Sequence, residues 1–251
     1  MTVGATAKVQ DFAMLSEDDV KRRASQIRSK TRVSDHGEVL TGRREVNAML
    51  DLVKQETERI DSRFLEPACG DGNFLAVILE RKLAVVEKRY GKSQLDFERY
   101  AVLAVSSIYG IDILPDNVRE CQRRLFEIFD ANYTRLFKAA AKDQCRGAVR
   151  YILGRNIIWG DALSLRTVGE KADHIVFSEW SPINGSMLKR RDFTFSELLR
   201  HEEAMQAPLF PGLESEEQLP LFSDLGEHVF IPTPAREYPP VHFLEIAHAG
   251  E

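Results

Sequence analysis

The chain has 251 residues, 43% hydrophobic and 29% charged, with 15 glycines and 10 prolines; it is long enough to bury one sizeable core and too apolar to be disordered. Its 34 Lys and Arg against 39 Asp and Glu leave a net charge of −5, which excludes a global positive field that would draw in nucleic acid unaided. No apolar run approaches the roughly 18–20 residues that cross a bilayer, and the start MTVGATAKVQDF lacks the basic-then-apolar form of a secretory signal, so the expected location is the cytoplasm.

The opening third reads helical. Ser16-Glu-Asp-Asp19 has the form of a helix start, and Val46, Met49, Leu50, Val53 and Ile60 recur close to a 3.6-residue period between Glu45 and Ile60. From residue 63 short apolar segments alternate with long helical patterns. The expected strands are Phe64-Leu65, Ser107-Ile-Tyr-Gly-Ile111, Tyr151-Ile-Leu153 with Ile157-Ile158, and Ile175-Val-Phe177, and the helices lie at 73–89, 95–105 and 115–141. Pro115 suits the first turn of the third helix. Strands alternating with helices imply an α/β fold with a doubly wound parallel sheet. After Ile183 come the basic run Lys189-Arg-Arg191, a short helix at 193–204, and Ala207-Pro-Leu-Phe-Pro-Gly212 leading into an acidic, Pro-dotted stretch through Asp224. That stretch is long for a connection inside a domain and reads as a flap or binding segment, with Val229-Phe-Ile231 and Val241-His-Phe-Leu244 as two last strands. The expected division is an N-terminal helical cap at 1–60, an α/β core at 61–185 and a C-terminal appendage at 186–251.

The strongest chemical signal is Phe64-Leu-Glu-Pro-Ala-Cys-Gly-Asp-Gly-Asn-Phe-Leu75, a strand running into a glycine turn that opens a helix. Gly70 and Gly72 permit dihedrals a side chain would forbid and let a ligand approach the backbone. Glu66 and Asp71 set carboxylates beside that turn, where they would repel a dinucleotide pyrophosphate. Glycines with acids suit a cationic ligand that carries a sugar, such as S-adenosylmethionine. In Ile108-Tyr-Gly-Ile-Asp112, Asp112 ends the next strand and is the expected ribose ligand. In Asn156-Ile-Ile-Trp-Gly-Asp-Ala162, Asp161 is the expected acceptor for the adenine amine, with Ile113 and Ala162 as walls for its ring. Taken singly, Asp112 reads equally as a helix cap and Asp161 as an ordinary loop residue. Cys69, Cys121 and Cys145 are too few and too far apart for a disulfide framework, and the histidines, among them His36, His174 and His201, show no metal spacing, so no metal is assigned.

With GEVLTGRREV at 37–46, FLEPACGDGNFL at 64–75, YGIDI at 109–113 and GDA at 160–162, the chain resembles the adenine-specific DNA methyltransferases of restriction–modification systems. The likeness spans roughly residues 35–185 and is nearest to type I modification subunits and their short relatives. It implies a class I S-adenosylmethionine-dependent methyltransferase sheet, S-adenosylmethionine as cofactor, and cofactor contacts that extend to Thr41, Pro67 and Ala68. It also implies DNA as the partner, reached with help from a specificity or nuclease subunit. Two departures stand out. The family's Gly-x-x-x-Thr-Pro segment is here Gly37-Glu-Val-Leu-Thr-Gly42, which removes a stiffening proline. The family's catalytic Asn/Asp-Pro-Pro-aromatic loop is here Phe177-Ser-Glu-Trp-Ser-Pro-Ile183.

That loop must hold a flipped base by its amine and offer an aromatic face. In one register Ser178, Glu179, Trp180 and Ser181 fill the four positions. Shifted by one, Glu179 is the acceptor, Trp180 the stacking ring and Pro182 the stiffener, which preserves more chemistry. Trp180 reads alternatively as a packing aromatic in a loop without catalysis. Lys189-Arg-Arg191 reads as a phosphate grip or as a solvated run. Three functions follow as expectations: an adenine-specific DNA methyltransferase, a cofactor-binding pseudo-enzyme acting as a partner or regulatory subunit, and a methyltransferase of a non-DNA substrate.

Overall fold

A computed structural model describes residues 41–206 and 232–248; the helix start at 16–19, His36, the segment 37–40 and the stretch 207–231 lie outside the described residues. Two short helices come first, α1 (Arg43–Asp51) and α2 (Lys54–Thr57), where a single pattern is expected. Val46 and Leu50 of α1 and the following Ile60 are buried in the main core, so this segment packs directly on the α/β unit.

The central unit runs β1 (Phe64–Glu66), α3 (Asn73–Tyr90), α4 (Gln94–Ser106), β2 (Ile108–Asp112), α5 (Pro115–Phe137), a 3-10 turn (Lys138–Ala140), α6 (Asp143–Asn156) and β3 (Ile157–Asp161). Strands β1, β2 and β3 pair in parallel, with Glu66 opposite Gly110 and Asp112 opposite Trp159; β4 (Arg166–Thr167) then turns back antiparallel on β3. Tyr151-Ile-Leu153, expected as strand, belongs to α6, because its apolar residues continue the helical stripe Cys145, Ala148, Val149, Ile152. Helix α3 buries the consecutive residues Leu75 to Leu79, as a helix surrounded by sheet and neighbouring helices must.

All five residues of β2 are buried, and successive side chains point to opposite faces. Ile108 joins the core made with α3 to α6, whereas Tyr109 and Ile111 meet Ile175, Phe177 and Phe195. Of that second group, Phe177 belongs to a separate antiparallel sheet. That sheet holds β5 (Val176–Pro182), β6 (Met187–Thr194), β7 (Arg236–Glu237) and β8 (Val241–His242), and α7 (Phe195–Gln206) follows β6. The boundary expected at 185/186 falls inside the β5–β6 hairpin.

The parallel sheet has the order β1-β2-β3-β4. A doubly wound sheet reverses its strand order at the first strand; among the described residues no strand pairs with the outer edge of β1. The fold is mixed α/β: one mostly parallel four-stranded sheet flanked by helices, plus a small antiparallel sheet. Strand β5 belongs to the second sheet, where its seven residues are all paired with β6. No described helix is long and apolar enough to cross a membrane.

Candidate functional site

Parallel strands bring their carboxyl ends to one edge, and that edge collects Glu66, Asp112 and Asp161 at the ends of β1, β2 and β3. The turn after β1 is fastened to its neighbour by two backbone amides: Cys69 donates to the Ile111 carbonyl at 2.9 Å and Gly70 donates to Asp112 Oδ2 at 2.8 Å. The other oxygen of Asp112 accepts from the Leu114 amide at 2.9 Å and from Asn117 Nδ2 at 3.2 Å. Asp112 thus holds both the bend that leads into α5 and the glycine turn. A carboxylate offers about four acceptor positions, and these three bonds leave it capacity for one more donor.

Two glycines are closely confined here. Gly72 caps α3 at φ +85°, and a Cβ on it would lie 2.7 Å from Cys121 Sγ. Gly110 of β2 lies under the turn, where a Cβ would stand 3.0 Å from both Cys69 Sγ and Leu75 Cδ1. The Cys121 thiol beside it and burial both push the Cys69 thiol upward, so these cysteines act as packing for the turn.

The strand-end carboxylates Glu66, Asp112 and Asp161 make this edge rich in acceptors. Glu66 is half-buried, burial holds its carboxyl above the usual range, and that carboxyl makes no hydrogen bond with a described residue. The Leu163 amide donates to the Asp161 carboxylate at 2.9 Å and, with neighbouring Ser164, lowers it, while the Ser164 hydroxyl donates to the Asp161 carbonyl at 3.4 Å. Pro67 and Ala68 are exposed beside Glu66. Apolar surface borders the acids: Ile113 is 47% exposed and Trp159 39% exposed, and the Trp159 indole donates to the Ile113 carbonyl at 3.0 Å. Ala162 is partly buried next to the fully open Leu163. Thr41 reaches the same region through its carbonyl, which accepts from Asn73 Nδ2 at 3.3 Å. Hydroxyl and ammonium donors, a flat apolar ring and positive charge are what such a border can receive, which fits S-adenosylmethionine.

The four residues expected to capture a base lie elsewhere. They form no loop, because β5 runs on through Pro182. Ile175, just before β5, packs at Gly160 near the carboxyl end of β3; Ser178 offers its carbonyl to the Tyr109 hydroxyl at 3.0 Å; Glu179 pairs with Arg63, which precedes β1. Strand β5 therefore crosses the sheet toward its amino edge. Trp180 is 6% exposed, its indole donates to Asn156 Oδ1 at 3.2 Å, and Asn156 in turn donates to the carbonyls of Ser106 and Ile108. Ser178 is buried in bonds with Asp192 and Arg190, Glu179 also pairs with Arg191 at 2.7 Å, and Pro182 is exposed at the hairpin end. At about 3.3 Å per residue, the three-residue β1 alone separates these groups from the glycine turn by roughly 10 Å.

The basic run is divided by the two-residue period of β6. Arg190 points inward to Asp192 at 2.7 Å, while Lys189 and Arg191 point outward to Glu237 and Glu179, each at 2.7 Å. The run left open between a phosphate grip and a solvated face is thus paired internally at all three charges.

Asn117 and Trp159 lie at this carboxyl edge and Arg124 beside the glycine turn, where the sequence leads to none of them. Trp159 lies inside the Ile157-Ile-Trp segment and was legible as an aromatic beside Asp161; Asn117 and Arg124 occupy ordinary helical positions and carry no sequence signal. A scan against family models, a search of curated proteins and a search of solved structures each return no match.

Proposed function

We propose that the chain binds S-adenosylmethionine at the carboxyl edge of β1, β2 and β3 and serves as the methyltransferase chain of a DNA adenine-modification system of the restriction–modification kind. The observation that carries this reading is the bond from the Gly70 amide to Asp112, which joins a glycine turn and a strand-end acid into one acceptor-lined edge. Glu66 and Asp112 would receive the ribose hydroxyls and Asp161 the adenine amine. Ile113 and Ala162 would flank the ring, and Thr41, Pro67, Ala68, Gly70, Asp71 and Gly72 would surround the rest. The cofactor supplies an electrophilic methyl group; the chain's contribution is to fix its position, since alignment alone lowers the barrier of a bimolecular transfer. With a net charge of −5 and its basic run paired internally, the chain draws on a specificity or nuclease subunit for its grip on the duplex.

The placement of Glu179 and Trp180 favours a second reading, a cofactor-binding subunit that transfers no methyl group itself and acts as partner or regulator. Calorimetry with S-adenosylmethionine, followed by transfer of labelled methyl to duplex DNA with and without the products of neighbouring genes, tests both. Cofactor binding with transfer supports the first; binding with no transfer under either condition supports the second; absence of binding overturns both.

A further inference from the structure

We propose that Arg124, on α5, receives the carboxylate at the amino-acid end of the cofactor, an assignment that rests on the cofactor reading above. Its Nη1 donates to Asn73 Oδ1 at 2.6 Å and stands 3.5 Å from Asp71 Oδ1. Asn73 in turn donates to the Thr41 carbonyl. One guanidinium is thereby held against the glycine turn, the first residue of α3 and the segment that enters α1. Only Nη1 is engaged with described residues, and the side chain remains 33% exposed. The rest of the fork, Nη2 and Nε, has the geometry that binds carboxylates by two parallel hydrogen bonds. The first amides of α3 add positive potential at the same place. Asp71 beside it supplies the opposite charge, so the pair matches a zwitterionic α-amino acid, the end of the cofactor that the acids and apolar border of β2 and β3 cannot recognise.

S-adenosylhomocysteine and 5′-methylthioadenosine share an adenosine and a neutral thioether and differ by the amino-acid end, so their affinities isolate this contact. By calorimetry the unaltered chain should bind S-adenosylhomocysteine the more tightly. Arg124→Ala should weaken that binding by about ten- to a hundredfold, as for a lost charge-assisted hydrogen bond, and leave 5′-methylthioadenosine unchanged. Arg124→Lys should restore part of the loss. Arg124→Gln keeps a donor for Asn73 and guards against a folding defect; it should discriminate as poorly as the alanine variant. Equal weakening of both ligands would mean that Arg124 only supports the turn, and undiminished S-adenosylhomocysteine binding would mean that it touches nothing; either overturns the proposal. If the unaltered chain binds neither ligand, the cofactor reading itself fails, and this assignment with it.

Discussion

Asp112 carries two tasks, and its substitutions separate them from ordinary surface changes. In Asp112→Asn one acceptor oxygen remains and an amide nitrogen, which only donates, takes the place of the other, so either the Gly70 amide or the pair of donors from Leu114 and Asn117 loses its partner. An unsatisfied buried group costs about 1–3 kcal/mol, so urea unfolding should register a loss of that size together with weaker S-adenosylmethionine binding. Unchanged stability would remove Asp112 as anchor of the turn. Lys82 presents a different case. It is fully buried, its ammonium donates to the carbonyls of Ile60 and Ser62 and to Ser107 Oγ, and burial lowers it to about 7. Asp61 and Glu56 oppose that shift and Arg59 reinforces it. Between about pH 7 and the ordinary lysine value of 10.5, the unfolded chain holds a proton that the folded chain has released, so stability rises with pH across this window and the burial penalty is felt in full below it. The contribution approaches about 1.4 kcal/mol per pH unit. Unfolding of Lys82→Met measured from pH 6 to 10 should lack that slope; an identical slope in the variant would contradict the assignment.

At the scale of elements, the hairpin β5–β6 marks the limit of what the sequence discloses. The three long helices were legible because apolar residues such as Val118, Cys121, Leu125 and Phe129 keep a helical period, and Pro115 fixes where α5 starts. The carboxyl-edge acids were legible because each ends an apolar strand. The course of β5 was not, because Ser178-Glu-Trp-Ser181 has the polarity of a loop, and what makes it strand is distant: β6 pairing, Asn156 under Trp180 and Arg63 beside Glu179. The same distance hides Arg124, whose partners Asn73 and Asp71 are both more than fifty residues away on the chain. Trp180 is accordingly a core residue of the hairpin. Trp180→Ala should destabilise the fold by about 3–5 kcal/mol, the usual cost of truncating a buried large aromatic, while the protein that remains folded keeps its affinity for S-adenosylmethionine. A loss of cofactor affinity without a loss of stability would place the ring at the site instead.

Across the whole molecule the two functional expectations occupy opposite edges of one sheet: the glycine turn and strand-end acids at the carboxyl edge, and Glu179 with Trp180 toward the amino edge beside Arg63 and Asn156. A chain built in this way can hold a cofactor without bringing those two side chains to it, so a target base would meet groups other than Glu179 and Trp180. Amide hydrogen exchange with and without S-adenosylmethionine maps where the cofactor binds in a single experiment. Bound cofactor should slow exchange in the segments 66–74, 111–114 and 159–163 and leave 177–182 unaltered. Unchanged exchange throughout at saturating cofactor, or protection centred on 177–182, would contradict this placement of the cofactor.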